Sequence, residues 1–377
     1  MYIMKIVLAP DKYKGSLTGL EFCNIVEPIL KSSLNAEVIK APLADGGDGT
    51  IEVVNYYLKG ETIKIKVNNP LSKPVLASYL YSNTSKIAFI EMAEASGMKL
   101  LKPEDQNCMY TTTFGTGQLI LHAINKGAKH IILGIGGSAT NDCGIGMANA
   151  LGYRFLDKNN NEIEAIGSEL THITKIDDSS VDKRLKNIKF QIACDVTNPL
   201  YGPNGAAYVY AKQKGATEED ISYLDYGLRS FSKVLDKHFN LQTQQIQGAG
   251  AAGGMGAGTV AFLNGKLLPG IDVIKQIANF DTKIKNADWI ITGEGKLDVQ
   301  TLSGKALSGV LTSANNNKIK AAAFCGSIDL ESEELNKMGI DYSDAIVNHA
   351  SSLEDAINNS AHYLEHITKK FIVEKLK

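Results

Sequence analysis

The chain alternates short apolar runs with helical patterns at both of its ends, and this alternation constrains its fold more than any other feature. Near the N-terminus, residues 4–9 (MKIVLA) and 36–41 (AEVIKA) are apolar runs of strand length, and each is followed by a helical pattern. The C-terminal part repeats this order, with runs at 287–292, 318–326 and 341–348. Such alternation is typical of a parallel sheet covered by helices. We therefore predict one parallel α/β domain built from both ends of the chain.

The middle of the chain follows another pattern. From residue 61, apolar and polar residues alternate with period two, and tight turns separate three short runs up to residue 92. This pattern is typical of antiparallel hairpins. The predicted fold class is therefore α/β with two domains. A Rossmann-like parallel-sheet domain (1–62 and 284–377) is interrupted by a large inserted α/β domain with antiparallel hairpins (63–283).

The last helical pattern begins at about Ser352 and continues to Phe371 without a strong breaker. Its apolar residues recur at helical spacing, which predicts a single helix with one buried face. The residues predicted to form this face are Leu353, Ile357, Ala361, Leu364, Ile367 and Phe371.

Charge, hydropathy and cysteine content exclude several protein classes. The 39 Lys and Arg residues against 41 Asp and Glu give a net charge of −2, so no basic field would recruit nucleic acid. No run approaches the length of a membrane span, and the N-terminus has no signal-peptide pattern. Five dispersed cysteines suit a reducing compartment and form no zinc-binding spacing. We predict a cytoplasmic protein without nucleic-acid or membrane partners, and the sequence leaves its oligomeric state open.

Polar loops follow three of the predicted parallel strands. Ligands of parallel α/β sheets bind beyond the carboxyl ends of the strands, so these loops are the first candidates for a site. They are PDKYKGSLT (10–18), PLADGGDGT (42–50) and GEGKLDVQTLSGK (293–305). Their candidate residues are Asp11, Lys12, Lys14, Ser16, Asp45, Asp48, Glu294, Lys296, Asp298 and Ser303.

The chemistry of these loops indicates phosphate and a hard cation. Lysines and helix N-termini suit anionic oxygens, whereas clustered carboxylates suit Mg²⁺ or a proton-accepting role. Phosphoryl transfer from Mg-ATP needs both kinds of group, because its catalysis depends on positioning and on stabilising negative charge. The residues alone therefore favour a phosphotransferase that uses a magnesium nucleotide.

The predicted inserted domain has two further candidate loops after strands. Residues 134–146 (GIGGSATNDCGIG) supply Gly136, Gly137, Ser138, Asn141 and Asp142, and residues 193–206 supply Asp195 and Asn198. Main-chain N–H groups of the first loop could surround a phosphate. The alternative is that both stretches are turns in which Asn and Asp bond locally to the main chain.

Two glycine motifs do not support a familiar nucleotide fold. GAGAAG (248–253) has the spacing of a dinucleotide fingerprint, but the preceding QTQQIQ is a poor buried strand, so we predict a tight loop or a helix-packing surface. The P-loop pattern is absent, because Gly304-Lys305 is followed by alanine instead of a hydroxyl residue.

Taken together, the motifs resemble the bacterial glycerate kinase family often called type 1. The resemblance rests on MKIVLAPDKYKGSLT, PLADGGDGT, GIGGSATNDCGIGMANALGYRF, ACDVTNPLYGPNGA and ADWIITGEGKLDVQTLSGK, which occur in order from residue 4 to beyond 305. One departure is Cys143-Gly144, where the family commonly has Gly-Gly. The resemblance implies phosphorylation of D-glycerate by ATP with Mg²⁺, in many members at the 2-hydroxyl, and a site in a cleft between two α/β domains.

With this resemblance in view, we hypothesise roles for the loop residues. Asp45 and Asp195 are the two candidates for the group that deprotonates the glycerate hydroxyl. Lys12, Lys14 and Lys296 would neutralise phosphate or the glycerate carboxylate, and Asp48 and Asp298 would hold Mg²⁺. Apart from Asp11, the other candidate loop residues named above are expected to contact glycerate or nucleotide.

Other functions remain open at this point. The product could be 3-phosphoglycerate, the acceptor could be another small hydroxy acid, or the protein could be a ligand sensor without turnover. A sensor is disfavoured because the sequence shows no helix-turn-helix or basic tail as an output module.

Overall fold

The computed structural model describes residues 3–46, 49–298 and 306–377. The chain divides into two compact units, a terminal unit of residues 1–57 and 271–377 and an inserted unit of residues 58–270. This arrangement confirms the predicted fold class, in which one α/β domain interrupts another. The units divide after Tyr57 and Gly270, whereas the sequence places the boundaries near 62 and 284.

The N-terminal section forms two strand–helix pairs. They are β1 (Met4–Leu8), α1 (Gly19–Ser33), β2 (Ala36–Lys40) and α2 (Thr50–Leu58). Helix α1 begins with a capping box, in which the Thr18 hydroxyl accepts from the Glu21 N–H and the Glu21 carboxylate accepts from the Thr18 N–H. These two bonds satisfy main-chain donors that a helix N-terminus otherwise leaves without partners.

The inserted unit is built around a mixed six-stranded sheet. Its strands are β3 (Glu61–Asn68), β4 (Pro74–Ser82), β5 (Ile87–Glu91), β6 (His130–Gly134), β9 (Lys189–Ala193) and β10 (Lys266–Leu268). The order is β10-β9-β6-β5-β4-β3, antiparallel between β3, β4 and β5 and parallel elsewhere. A separate antiparallel pair consists of β7 (Arg154–Leu156) and β8 (Lys175–Asp177).

The α-helices of the inserted unit come after β5 in the chain. They are α3 (Ala93–Ser96), α4 (Phe114–Asn125), α5 (Ile145–Ala150), α6 (Glu218–Phe239) and α7 (Ala251–Leu263). The GAGAAG motif leads into α7 after a short 3₁₀ turn and not after a strand. Gly253 has positive φ, and a side chain there would overlap the main-chain oxygen of Thr140, as one at Gly250 would overlap the oxygen of Pro199. The prediction of a close-packing role for this motif is confirmed.

The C-terminal section completes the terminal unit. Its helices are α8 (Gly270–Ala278), α9 (Phe280–Lys283), α10 (Ala306–Asn316), α11 (Ser332–Lys337), α12 (Leu353–Asn358) and α13 (Ser360–Phe371). Its strands are β11 (Trp289–Thr292), β12 (Lys296–Leu297), β13 (Lys320–Cys325), β14 (Ser327–Ile328) and β15 (Tyr342–Ala345). The main sheet has the order β15-β13-β11-β1-β2 and is parallel throughout.

This strand order has one reversal point. From β1 the chain proceeds outwards to β2, and after the inserted unit it proceeds from β11 to β13 and β15 on the other side. Strands β1 and β11 are therefore neighbours, and after them the chain continues to strands on opposite sides of the sheet. Ligands of open α/β sheets bind at such a reversal point.

The predicted single C-terminal helix is wrong in two respects. The helix is broken at Asn359 into α12 and α13. Leu364, Ile367 and Phe371 of α13 are buried as predicted and pack with α1 in the core. Leu353 and Ile357 of α12 and Ala361 at the start of α13 are exposed instead, whereas Ala356 of α12 is buried in this core.

Candidate active site

The terminal unit contains a cavity of about 500 Å³ beyond the carboxyl ends of β1, β2 and β11. This volume lies within the usual range for small-molecule sites, about 300–1,000 Å³. The cavity brings together most of the candidate residues of the three loops after these strands. The candidate side chains that line it are those of Asp11, Lys12, Lys14, Ser16, Asp45, Glu294, Lys296 and Asp298.

Main-chain hydrogen bonds hold the three loops against one another. The N–H of Asp11 donates to the oxygen of Gly293 at 2.8 Å, and the N–H of Leu43 donates to the oxygen of Pro10 at 2.9 Å. The loop after β11 is bonded in turn to the loop after β13, since the Ser327 N–H donates to the oxygen of Gly295 at 3.0 Å. The lining side chains are thus fixed on a connected main-chain framework.

Two glycines make this framework possible. A Cβ at Gly293 would overlap the main-chain oxygen of Phe324 and the hydroxyl of Tyr13, and one at Gly326 would overlap the oxygen of Gly295. Glycine tolerates such close approach because it has no side chain. These glycines therefore allow the loops to pack together.

The cationic groups of the cavity differ in their surroundings. Lys12 is half-buried and its Nζ would lie 3.7 Å from a Cβ at Gly49, so its amine reaches the glycine-rich loop after β2. Lys14 is exposed. Lys296 is exposed and pairs with Asp329 at 2.7 Å, and this hydrogen bond raises the pKa of the Lys296 amine.

The carboxyl of Asp11, which lines the cavity, has a shifted pKa. Burial is the main cause that raises the pKa of Asp11 to about 7, and the neighbouring Asp45 and Glu294 carboxylates contribute to this rise against the opposing Lys12 N–H bond and Lys12 charge. That N–H donates to Oδ1 at 2.7 Å, and Oδ2 has no hydrogen-bond partner within the described ranges. A carboxyl in this condition can exchange a proton near neutral pH.

One side of the cavity is apolar. It is formed by side chains from the segment after β15 and from α12, namely Ile346, Val347, Leu353, Ala356 and Ile357. We call this set the aliphatic wall. Leu353 is 68% exposed and Ile357 40% exposed, although both are large aliphatic residues. The cavity therefore combines a charged floor with a hydrocarbon side.

In the inserted unit, the two candidate loops follow the neighbouring strands β6 and β9. These strands are parallel and in register, with Gly134 opposite Ala193 at their carboxyl ends. Gly136 and Gly137 are exposed, and nothing lies within 4 Å of the place that a Cβ on Gly136 would occupy. Their main chain is therefore accessible to a ligand.

The rest of the first loop is buried. Asp142 is fully buried and accepts hydrogen bonds from the N–H groups of Thr113, Gly144 and Gly146 and from the Thr113 hydroxyl. Burial raises the pKa of the Asp142 carboxyl, and these bonds oppose the rise. Asp142 thus fixes the loop against the start of α4.

The neighbouring Asn141 is also fully buried, yet neither polar atom of its side chain has a hydrogen-bond partner among the described residues. A buried amide without partners is costly, at about 1–3 kcal/mol. The described residues therefore leave the hydrogen bonding of the Asn141 side chain incomplete.

Lys214 is a buried cation beneath this loop. Its Nζ donates to the Ser138 hydroxyl and to the main-chain oxygen of Thr140, both at 2.7 Å. Burial lowers the pKa of the Lys214 amine to about 8, against the opposing charges of Cys108 and Asp142. Ser138, a predicted ligand-binding residue, is in this structure the partner of Lys214.

The two candidates after β9 both have hydrogen-bond partners. Oδ1 of Asp195 accepts from the Gly270 N–H at 2.8 Å, and the residue is exposed. Asn198 donates to the oxygen of Asn204 at 2.9 Å and accepts from the Tyr210 hydroxyl at 2.6 Å. Asn198 therefore stabilises its own turn, whereas Asp195 stays accessible.

Two predicted residues, Asp48 and Ser303, lie outside the described residues.

Three features of the site are not predicted from the sequence. Asp11 was noted in its loop but given no role, although it follows β1 as Asp45 follows β2. Lys214 and the aliphatic wall follow no motif, and only the folded chain places them beside the candidate loops or the cavity.

Comparisons with known proteins agree on one family. Residues 6–375 match the sequence profile of the glycerate kinase family. A glycerate kinase from Halalkalibacterium halodurans is 43% identical over 98% of this chain and 97% of its own length. A glycerate 2-kinase from Escherichia coli K12 is 40% identical over 95% of this chain and 94% of its own length.

A solved structure supports the same relationship. The crystal structure whose description names glycerate kinase 2 from Salmonella typhimurium LT2 superposes with a TM-score of 0.87 at 38% identity. The match covers 99% of this chain and 98% of the other. Within the described residues, no helix has the length and apolar character needed to cross a membrane.

Proposed function

The chain belongs to the glycerate kinase family, and from this premise we propose that it transfers the γ-phosphoryl group of ATP to the 2-hydroxyl of D-glycerate. The products are 2-phosphoglycerate and ADP. The observation that carries this proposal is the cavity of the terminal unit, in which lysines and carboxylates from three strand ends converge. The name of the Escherichia coli relative, a glycerate 2-kinase, supports the choice of the 2-position.

The proposed roles of the lysines follow from their charge and position. In phosphoryl transfer, negative charge spreads over the oxygens of the transferred group, and fixed cations stabilise it. Lys12 is held in the loop between β1 and α1, and Lys14 lies two residues further on. We assign both to the phosphate groups of ATP. Lys296 joins them when its exposed ion pair with Asp329 opens, since exposed pairs contribute only about 0–1 kcal/mol.

The transfer step requires a proton acceptor. The oxygen of the 2-hydroxyl forms a bond to the γ-phosphorus while the bond from that phosphorus to the ADP oxygen breaks. The hydroxyl proton passes to a carboxylate, and we propose Asp45 for this role, with Asp11 beside it as the second candidate in the cavity. Asp195 of the inserted unit is the rival. Asparagine variants of the three residues distinguish them, because near-normal turnover removes a residue from the role.

Other sequence candidates retain proposed binding roles. The exposed main chain of Gly136 and Gly137 can donate to an anionic oxygen. Ser16 and Glu294 line the cavity of the terminal unit and are proposed to position its ligand. Ser138, Asn141, Asp142 and Asn198 are proposed to act by supporting the loops after β6 and β9, since their polar groups are buried or have local partners.

The residues of the cavity fit a magnesium ion. Mg²⁺ that accompanies a nucleotide is usually held by one or two carboxylates and the phosphates, and Asp298 lines the cavity. We propose Asp298 together with Asp48 as its protein ligands. The bound ion would neutralise phosphate charge. No group of three His, Cys, Asp or Glu side chains with metal-binding geometry occurs in the part of the chain that the structure describes.

The cysteines support a reducing compartment. All five cysteines are free thiols, and four of them are buried. Thiols in this state are typical of cytoplasmic proteins. We propose that the enzyme acts in the cytoplasm on small-molecule substrates.

The first experiment is an assay with ATP and D-glycerate that is coupled through enolase, with and without phosphoglycerate mutase. Signal with enolase alone would support the 2-phosphate as product. Signal only after addition of the mutase would contradict the 2-position and indicate the 3-phosphate. Absence of ADP formation with glycerate and with a panel of other small hydroxy acids would contradict the kinase and favour a binding protein.

A further inference from the structure

The aliphatic wall is an exposed hydrocarbon surface next to a strongly charged one. Leu353 and Ile357 lie on α12, and both line the cavity together with Val347. Large aliphatic side chains are normally scattered singly when they are exposed. Here they are grouped on one side of a single cavity, which is the usual sign of a surface that contacts a ligand.

Contacts within the terminal unit attach this wall to the charged floor. The N–H of Val347 donates to the oxygen of Gly326 at 3.1 Å, and Gly326 belongs to the loop framework that holds the floor. The hydroxyl of Ser16, in the loop after β1, lies 3.4 Å from the oxygen of Ile357. The wall and the lysines of the floor are therefore parts of one cavity at the reversal point of the sheet.

We propose that the aliphatic wall binds the nucleobase of the phosphate donor, so that the terminal unit holds the whole nucleotide with its phosphates on Lys12 and Lys14. This inference rests on the proposed function, because it assumes that ATP is the donor. It adds the location of the base and the residues that contact it.

The two substrates differ in what they can cover. Glycerate is a small anion with two hydroxyl groups, and it has no apolar face to remove Leu353 and Ile357 from water. A nucleobase has two flat faces, and burial of aliphatic carbon against them is favourable at about 25 cal/mol per Å². A nucleotide also carries charged phosphates at one end and a base at the other, which matches a cavity that has both charged and aliphatic lining residues.

The test compares ligands with and without a base. Binding of ATP and of inorganic tripolyphosphate is measured by calorimetry, without glycerate, for the wild type and for the double variant Leu353→Ala/Ile357→Ala. The control is Val373→Ala, since Val373 is 68% exposed, as Leu353 is, and does not line the cavity. All three side chains are exposed, so the variants should fold, and thermal unfolding verifies this.

The double variant should raise the Kd of ATP about tenfold and leave the Kd of tripolyphosphate within about twofold. The control should change neither. An unchanged Kd for ATP, or a change only in the KM of glycerate, would overturn the inference.

These results are separable from those that concern the proposed function. If the wild type phosphorylates glycerate and the double variant binds ATP normally, the proposed function stands and the role of the aliphatic wall in base binding is rejected. If the wild type shows no turnover but its ATP binding is still weakened by the double substitution, the role of the aliphatic wall is supported and the proposed function is rejected.

Discussion

The hydroxyl of Tyr13 donates a hydrogen bond to the main-chain oxygen of Phe324. Tyr13 belongs to the loop after β1 and Phe324 to β13, so the bond passes over the intervening strand β11 and its loop. Gly293 lies beneath it, and a side chain there would overlap both partners. The bond fixes the lysine-bearing loop after β1 to the interior of the sheet.

Gly293→Ala should therefore destabilise the terminal unit and reduce turnover. The added Cβ would force apart the loops after β1 and β11, with a loss of about 2–4 kcal/mol in the free energy of unfolding. Urea denaturation measures this loss. The matched control is Gly136→Ala, because nothing surrounds that position, and its stability should change by less than about 1 kcal/mol. Equal stability of both variants would contradict the role given to Gly293.

Lys12→Met should lower kcat/KM by about 10²–10³ without unfolding the protein, because it removes a fixed cation from the proposed phosphate site. Steady-state kinetics with ATP and D-glycerate measure the effect. Lys31→Met is the control, since Lys31 is an exposed α1 residue paired with Glu27 and does not line the cavity. A Lys12 variant with the kinetics of the control would show that the cavity floor does not contact the reacting phosphate.

The pH dependence of kcat/KM should reveal Asp11. Burial and the neighbouring Asp45 and Glu294 carboxylates raise the pKa of Asp11 to about 7, so a function that needs its ionised form is lost as the pH falls below this value. The rate should drop about tenfold per pH unit there. Asp11→Asn should abolish this inflection, and Asp195→Asn should leave it in place. An inflection that survives in Asp11→Asn would assign it to another group.

The same carboxyl should make Asp11→Asn more stable than the wild type at high pH. The pKa of Asp11 is higher in the folded state than in the unfolded state, so its contribution to stability is present at low pH and lost as the pH rises through about 7. Between pH 4 and pH 8, the free energy of unfolding of the variant should therefore rise by about 1–3 kcal/mol relative to that of the wild type. Denaturation at the two pH values tests the sign, and a constant difference would contradict it.

Lys214→Met should reveal a buried cation in the inserted unit. Burial lowers the pKa of the Lys214 amine to about 8 in the folded state, below its ordinary value of 10.5. As the pH rises, the folded protein therefore releases the Lys214 proton before the unfolded chain does. From pH 8 to 10.5, the free energy of unfolding of the wild type should rise by about 1–3 kcal/mol relative to that of the variant. Urea titrations of both proteins measure this gain. A difference that does not change with pH would place the amine in water.

Local patterns predicted the elements of this fold well, because each is determined by nearby residues. The antiparallel pairing of β3 and β4, which their period-two alternation predicts, is confirmed. The helix break at Asn359 was not predicted, since the preceding helical spacing continues through it. Only tertiary packing shows that α12 lines a cavity and α13 lines a core.

The candidate site shows the same limit. The three charged loops were predicted to converge because parallel strands end at one edge of a sheet, and the structure places their described residues around one cavity. The assignment of individual residues to glycerate, nucleotide or Mg²⁺ stays a prediction. Lys214 and the aliphatic wall could not be found from the sequence, because a lysine or a leucine has no pattern that indicates its distant neighbours.

The interrupted terminal unit has a consequence for biosynthesis. Strand β1 needs β11 on one side and β2 on the other, but a ribosome delivers β11 only after the whole inserted unit. At about 5–20 residues per second, this delay is on the order of ten to forty seconds. During that time the edge of β1 that later pairs with β11 is open, and it is a template for pairing with other chains. Nascent chains of this protein should therefore depend on chaperones until translation passes β11, while the inserted unit, which is continuous in sequence, can fold first.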